Sequence, residues 1–207
     1  MDLYLITPPQ TGRDELPIAR QLLERGLYKL HIRKPGYTND DYRRYILSIP
    51  APFHSRLVLH GAGDLLSEFP AIGLHLRSDD KKNAALLQQV VRQCPASLSS
   101  SFHGWEEIME ETTRYDYVFI SPVFDSISKQ GYKAAIDPAG RGRLAQWASQ
   151  HTKTLPRIVA LGGVNAAGVP ALLENGFDGA ALLGAVWESG DPVASYEAIA
   201  RLLAASS

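Results

Sequence analysis

The sequence predicts a (β/α)8 barrel, because eight short apolar runs alternate with stretches of helical periodicity. An open doubly wound sheet is the alternative fold, but its first turn should carry a glycine-rich fingerprint. Here that turn reads Thr7-Pro8-Pro9-Gln10, which favours the barrel. The predicted strands occupy residues 3–7, 28–33, 56–60, 72–76, 97–101, 117–121, 157–161 and 179–183. The predicted helices occupy residues 14–25, 40–48, 83–93, 105–112, 142–150, 165–175 and 192–205, with a short turn at 64–69.

The composition predicts one well-cored domain that spans residues 1–207. The chain is 45% hydrophobic and 21% charged, and its net charge of -1 offers no basic surface for nucleic acid. No apolar run reaches the length of a bilayer span, and the first residues lack the cationic start of a secretory signal. We therefore expect a cytoplasmic protein that binds neither membranes nor nucleic acids. Oligomeric state stays open, with Trp187 as a candidate contact in a homo-oligomer.

Two glycine-terminated strands near the carboxyl end indicate a phosphate site. The seventh predicted strand runs into Gly162-Gly163, and the eighth runs into Gly184. In barrels of this kind the loops after the last two strands commonly hold a phosphate through backbone N–H groups. A simple turn into the next helix is the alternative explanation for these glycines. Their spacing of about one βα unit favours an enzyme that acts on a phosphorylated small molecule.

Charged and titratable residues at other strand ends are candidates for the chemistry. Strand alternation places His31 and Arg33 on the same side, where an arginine can hold a carboxylate or phosphate through paired N–H bonds. His103 follows the fifth strand and can transfer protons near neutral pH, with a purely structural hydrogen bond as the alternative. His60 and His75 also end strands, and His75 is predicted to be a hydrogen-bonded interior histidine.

The longest aperiodic segment, residues 124–140, is predicted to be a functional loop. It contains Ser126, Ser128 and Lys129, whose hydroxyls and ammonium group suit phosphate oxygens. Gly131 and Gly140 would allow hinging, and whether the loop closes over a substrate stays open. Asp80, after the fourth strand, is either a helix-capping residue or a Mg2+ ligand.

Seven segments follow one another along nearly the whole chain. They are Leu3-Tyr4-Leu5-Ile6-Thr7, His31-Ile32-Arg33-Lys34, Gly73-Leu74-His75-Leu76, Ser101-Phe102-His103, Ser121-Pro122-Val123-Phe124 with Ser126-Ile127-Ser128-Lys129, Leu161-Gly162-Gly163-Val164, and Gly179-Ala180-Ala181-Leu182-Leu183-Gly184. In this order they resemble the thiamin phosphate synthase and TenI family. The resemblance implies a (β/α)8 barrel that binds thiazole phosphate. It implies one of two activities: in the synthase branch a pyrimidine diphosphate is joined to thiazole phosphate with help from Mg2+, and in the TenI branch a carboxylated thiazole phosphate is aromatised without metal or redox cofactor.

Departures from the synthase pattern favour the TenI-like tautomerase. In the synthase branch the sequence of strand two resembles Gln-Leu-Arg-Glu-Lys. This chain has His31, Lys34 and Pro35 in place of the Gln, Glu and Lys. The synthase Asn-Asp pair on strand three, which touches the pyrimidine and the metal, corresponds to His60-Gly61. Only Asp80 remains of two metal carboxylates, and a lone carboxylate is a poor Mg2+ site.

In a tautomerase, the resemblance implies that His103 transfers the protons and Arg33 pairs with the substrate carboxylate, with no cofactor. In a synthase, Asp80 would hold Mg2+, and Ser126, Ser128 and Lys129 would grip the pyrophosphate. The synthase is the alternative function, followed by a non-catalytic binder of thiamin or thiazole phosphate and by an unrelated phosphosugar barrel enzyme. The expected substrate-binding residues are His31, Lys34, His60, Ser101, Ser126, Ser128, Lys129, Gly162, Gly163, Leu183 and Gly184.

Overall fold

The computed structural model describes residues 1–12, 14–93, 95–125 and 136–205. Within these residues eight strands follow one another in chain order around a closed barrel, and the registered neighbours pair in parallel. The predicted fold class is therefore confirmed. The strands are β1 (Asp2–Ile6), β2 (Lys29–Ile32), β3 (Leu57–His60), β4 (Gly73–Leu76), β5 (Leu98–Phe102), β6 (Tyr117–Ile120), β7 (Arg157–Ala160) and β8 (Gly179–Leu182).

Helices and short 3-10 turns connect the strands. No helix of the described residues is both long and apolar enough to cross a bilayer. The α-helices are α1 (Glu15–Glu24), α2 (Asn39–Ser48), α3 (Ala84–Gln93), α4 (Trp105–Glu110), α5 (Gly140–Gln150), α6 (Val169–Glu174), α7 (Gly184–Trp187) and α8 (Pro192–Ala205). The 3-10 turns are Ala51–Arg56, Gly63–Ser67, Asp80–Lys82 and Ala166–Gly168.

One predicted helix, over residues 165–175, is interrupted. Asn165 accepts hydrogen bonds on its side chain from the N–H groups of Ala167 and Gly168, which holds a 3-10 turn before α6. The α-helix begins only at Val169, with Pro170 in its first turn, where the missing proline N–H costs nothing.

The chain forms two compact units, which we call the amino-terminal unit (Tyr4–Ser100) and the carboxy-terminal unit (Met1–Leu3 with Ser101–Ser207). The amino-terminal unit contains β2, β3 and β4, whose leucine, isoleucine and valine side chains are buried. A capping box fixes the start of α2, with Thr38 accepting from the Asp41 N–H and Asp41 accepting in return from Thr38. The prediction of a single domain over residues 1–207 stays a prediction.

In the carboxy-terminal unit, α4 and α5 pack closely against each other. Gly140, the first residue of α5, lies against the Trp105 ring, so that a Cβ at Gly140 would stand 2.0 Å from the indole nitrogen. The same indole N–H donates to the Asp137 carbonyl at 3.1 Å. Lys153 donates to the carbonyl oxygens of Ile108, Met109 and Glu111 at the end of α4. The ammonium therefore satisfies carbonyl groups that a helix end leaves without intrahelical donors.

Candidate functional site

Three histidines converge inside the amino-terminal unit. His31, His60 and His75 come from the adjacent strands β2, β3 and β4, and one ring nitrogen of each lies within 4.8 Å of those of the other two. His31 Nδ1 is 3.0 Å from His60 Nε2, and the His60 and His75 rings stack with centroids 4.2 Å apart. His75 is buried and its Nδ1 lies 2.9 Å from Ser99 Oγ, as predicted for an interior histidine. We call this group the three-histidine cluster.

Burial keeps the three-histidine cluster neutral at neutral pH. Desolvation, followed by the positive charge that a protonated neighbour would carry, holds the pKa values of His31 and His60 well below their ordinary value. Desolvation, with Lys81 adding to it, lowers the pKa of His75 to about 3. A neutral imidazole offers one lone pair to a proton or a metal, so these rings act as acceptors or ligands.

Arg33 and Lys34 follow β2 but point to different surroundings. Arg33 is exposed, and its backbone N–H donates to Thr7 Oγ1 at 3.0 Å, which anchors the strand end. Its positive charge contributes to the lowered pKa values of His60 and His75. The guanidinium is therefore available to an anionic ligand near these histidines, consistent with the sequence expectation.

Lys34 instead lies in a fully buried ion pair. Its ammonium donates to Glu15 Oε2 at 2.6 Å and to the Pro8 carbonyl at 2.7 Å, and Tyr45 donates to the other Glu15 oxygen at 2.9 Å. Burial lowers the pKa of Lys34 against the opposing effect of Glu15, and burial raises the pKa of Tyr45. Lys34 is buried where its neighbour Arg33 is exposed. The structure thus gives Lys34 a structural role in place of the predicted substrate contact.

Asp80 is held by Arg77 rather than left open for a cation. Asp80 Oδ2 accepts from the Arg77 backbone N–H at 2.8 Å and from Nε at 3.0 Å, while Oδ1 accepts from Nη2 at 3.1 Å. Burial raises the pKa of Asp80, but these hydrogen bonds outweigh burial and hold the pKa below its ordinary value. A Cβ at Gly61 would lie 3.3 Å from the Arg77 guanidinium carbon.

The residues present therefore do not fit a Mg2+ ion of the kind expected for a synthase. Mg2+ is usually held by one or two carboxylates together with substrate phosphates and waters, but Gly61 has no side chain and both Asp80 oxygens accept from one guanidinium. Arg77 supplies a positive charge beside Asp80 where the family pattern places the metal. Arg77 was not singled out from the sequence, although the Arg-x-x-Asp spacing after a strand is a recognisable signal.

In the carboxy-terminal unit, His103 is oriented by a backbone carbonyl. His103 is exposed, and its Nδ1 lies 2.9 Å from the Ser121 carbonyl oxygen. Because a carbonyl only accepts, Nδ1 carries the proton and Nε2 carries the lone pair in the neutral ring. Glu107 Oε2 accepts from the His103 backbone N–H at 3.3 Å. This is the arrangement of a general base, and Ser101 lies two residues before it on β5.

The glycine loop after β7 packs tightly on the segment after β6. Gly162 and Gly163 adopt φ values of +89° and +68°, and a Cβ at Gly163 would stand 2.4 Å from the Asp125 carbonyl oxygen. Phe124 donates its N–H to the Gly162 carbonyl at 3.0 Å. Only glycine combines these φ values with this close backbone approach.

After β8, Leu183 precedes the short helix α7, which begins at Gly184. The first N–H groups of a helix have no intrahelical acceptor and are suited to anions. A short extra helix after the last strand is also a common part of barrel phosphate sites. Gly163, Leu183 and Gly184 thus keep their predicted role as a proposal.

The predicted loop over residues 124–140 is described only in part. Ser126, Ser128, Lys129 and Gly131 lie outside the described residues. Gly140, which would allow hinging, is buried at the start of α5 against Trp105. Trp187 is half-buried at the end of α7, and its role in an oligomer stays a prediction.

Fold and strand-end residues together define a (β/α)8 barrel of the kind that places its chemistry at the carboxyl ends of the strands. A family model described as "Thiamine monophosphate synthase" matches residues 3–186, and the chain belongs to that family. The predicted resemblance is thereby confirmed.

Individual relatives agree with the family match. The chain is 31% identical over 172 residues to a thiamine-phosphate synthase of Lysinibacillus sphaericus, covering 83% of this chain and 75% of that protein. It is 26% identical over 200 residues to one of Latilactobacillus sakei, covering 91% and 86%. A solved thiamine phosphate pyrophosphorylase from Bacteroides thetaiotaomicron has a TM-score of 0.71 at 27% identity, covering 99% of this chain and 98% of that one.

Proposed function

We propose that the protein is an enzyme of thiamin biosynthesis that works as a thiamine-phosphate synthase, joining a pyrimidine diphosphate to thiazole phosphate. The observation that carries this proposal is the family match over residues 3–186, together with a relative of that name at 31% identity over 83% of the chain. These similarities support the synthase better than the tautomerase that the sequence departures favour.

The carboxy-terminal unit supplies the features of a phosphate site. Backbone N–H groups of Gly163, Leu183 and Gly184 would donate to the phosphate of the thiazole substrate. The start of α7 at Gly184 supports this assignment, because the first N–H groups of a helix have no intrahelical acceptor. Gly163 adds a turn with positive φ, a conformation found in backbone anion sites. Backbone donors hold a phosphate without a bound cation.

The amino-terminal unit supplies cationic groups suited to a diphosphate. Arg33 is exposed beside the histidines, and the Arg77 guanidinium forms an ion pair with Asp80. A guanidinium binds phosphate oxygens through paired N–H bonds and stabilises the charge that develops on a departing diphosphate. No step is assigned to Mg2+, since Asp80 and Gly61 do not provide its ligands.

A TenI-like thiazole tautomerase is the second candidate, and the geometry of His103 favours it. With Nδ1–H held by Ser121, Nε2 would remove a proton from the carboxylated thiazole phosphate and return it at another atom of the ring system. Neither metal nor redox cofactor takes part in such a proton transfer.

Paired turnover separates the candidates. The purified protein is given, in parallel, pyrimidine diphosphate with aromatic thiazole phosphate and the carboxylated thiazole phosphate tautomer, each with and without Mg2+. Thiamine phosphate and pyrophosphate as products support the synthase, and aromatisation alone supports the tautomerase. Tight binding of thiamine phosphate without turnover of either substrate set would contradict both and favour a non-catalytic binder.

A further inference from the structure

Strand register explains why the three-histidine cluster forms. His60 and His75 are direct partners between β3 and β4, while His31 on β2 is the partner of Val58. Since residues i and i+2 of a strand share a face, Val58 and His60 point the same way and His31 joins them. Three imidazoles therefore share one small volume within the amino-terminal unit.

The nitrogen positions match a metal site before any ion is bound. Zinc binds imidazole nitrogen at about 2.0 to 2.1 Å in a tetrahedral shell, which sets ligand nitrogens roughly 3.3 Å apart. The His31 Nδ1 to His60 Nε2 distance is 3.0 Å, and no pair of the three ligand atoms exceeds 4.8 Å. Bringing all three nitrogens onto one ion takes movements of roughly 1.5 Å or less and a rotation that opens the His60–His75 stack, whose ring planes lie 20° apart.

A second hydrogen bond prepares His75 as a ligand. Ser99 Oγ donates to the Leu74 carbonyl at 3.5 Å, which leaves its lone pairs for the His75 Nδ1–H at 2.9 Å. In this tautomer the lone pair of the His75 ring is on Nε2. Histidine ligands of metals commonly donate their other ring N–H in this way, which fixes both the tautomer and the ring orientation.

We propose that His31, His60 and His75 bind one divalent cation of the zinc class, with a fourth coordination position left open. Imidazole ligands suit zinc, cobalt, nickel and copper, whereas Mg2+ prefers oxygen. His60 is partly accessible, which gives the ion an approach, and the exposed Arg33 stands near it. Three protein nitrogens with an open fourth position are typical of zinc that activates water or binds an anionic substrate group.

Cobalt titration of the full-length protein tests the site. After dialysis against a chelator, Co2+ is added and the visible absorption is followed. We expect one ion per chain and the intense bands of a four-coordinate cobalt site. His60→Asn and His75→Gln should each weaken binding at least about 100-fold, and Ser99→Ala should weaken it about 10- to 100-fold. His151→Asn, which removes an exposed histidine at the end of α5, should leave the titration unchanged.

Several results would overturn the proposal. These are the absence of four-coordinate bands in the wild type, full retention of the bands in His75→Gln, or their loss in His151→Asn. Circular dichroism checks that each variant is folded. If the cluster variants do not fold, X-ray absorption of the zinc-loaded wild type counts its imidazole ligands, where three supports the site and one or none contradicts it. This outcome does not depend on which substrate the protein converts.

Discussion

A single carbonyl oxygen determines which nitrogen of His103 can accept a proton. With Nδ1–H donated to Ser121, Nε2 is the basic atom, and replacement by asparagine removes it. If the protein aromatises the carboxylated thiazole, His103→Asn should lower kcat for that reaction about 10²- to 10⁴-fold with little change in KM. Steady-state kinetics on this substrate measures the effect.

The matched control for His103 is His151→Asn. His151 is also exposed, and its Nδ1 also lies 2.9 Å from a backbone carbonyl oxygen, that of Trp147. The His151→Asn variant should keep full activity. An unchanged aromatisation rate in His103→Asn would remove the basis for assigning the proton transfer to this residue.

Gly163 is the residue whose replacement should do most local damage in the carboxy-terminal unit. Alanine at φ +68° is strained, and its Cβ would overlap the Asp125 carbonyl at 2.4 Å. Gly163→Ala should lower the free energy of unfolding by about 1 to 3 kcal/mol and raise the KM for the phosphorylated substrate. Denaturant unfolding and steady-state kinetics measure both effects.

Gly142→Ala provides the comparison for Gly163, because Gly142 lies inside α5 and a Cβ there would meet nothing within 4 Å. Helix propensity predicts that this variant is unchanged or more stable by up to about 1 kcal/mol. Equal stability losses in the two variants would contradict the packing argument for the loop after β7.

At the scale of elements, the buried Lys34–Glu15 pair links β2 to α1, and Tyr45 extends it to α2. Removing one partner leaves an unpaired buried charge. Lys34→Met should therefore cost about 3 to 5 kcal/mol of the free energy of unfolding, measured by urea denaturation.

A double variant distinguishes the charge effect from simple packing. Lys34→Met with Glu15→Leu removes both charges, and we expect it to recover most of the stability that the single change loses. The control Lys82→Met changes an exposed lysine and should shift stability by less than about 0.5 kcal/mol. A double variant as unstable as the single one would mean that the ion pair is not what the mutation disrupts.

Element prediction succeeded where the pattern is local and failed where distant packing decides. All eight strands lie within two residues of their predicted bounds, because each is a short apolar run ended by polar residues or glycine. The turns Ala51–Arg56 and Asp80–Lys82 are too short to show a period. The sequence shows only that Gly140 would allow hinging, whereas in the structure Trp105, 35 positions earlier, packs against it at the start of α5.

Site prediction shows the same division. Alternation along β2 predicted that His31 and Arg33 share one side, and the strand ends that carry His60 and His75 were recognised individually. Their convergence depends on the register between strands, which one sequence does not reveal. Likewise, the partner of Lys34 lies 19 positions away on α1, at a distance where no local rule applies.

For the whole molecule, the three-histidine cluster predicts loss of stability in mild acid. Burial, with a smaller contribution from Lys81, gives His75 a pKa of about 3, whereas an unfolded histidine titrates near 6.5. Between these values the unfolded chain binds more protons than the folded one, so the free energy of unfolding falls as pH falls below about 6.5. The slope is about 1.4 kcal/mol per pH unit for each such histidine.

Urea unfolding at several pH values between 7.5 and 5, with a chelator present, measures how the free energy of unfolding changes with pH. This range lies above the pH at which most carboxylates titrate. His75→Gln should reduce the proton uptake on unfolding by about one, while His151→Asn should not change the contribution of the cluster. A stability that is flat with pH in the wild type would show that the buried rings take up protons without unfolding.

The enclosure of Lys34 also makes it a reporter of how often the structure opens. Amine-reactive reagents attack only an uncharged amine that they can reach, and the Lys34 side chain has no exposed surface in the folded chain. Exposed lysines such as Lys82 should be acylated at once, while Lys34 should wait for α1 to separate from β2. The modification rate of this one side chain, followed by mass spectrometry, would therefore time the local opening of the amino-terminal unit under conditions where nearly every molecule is native.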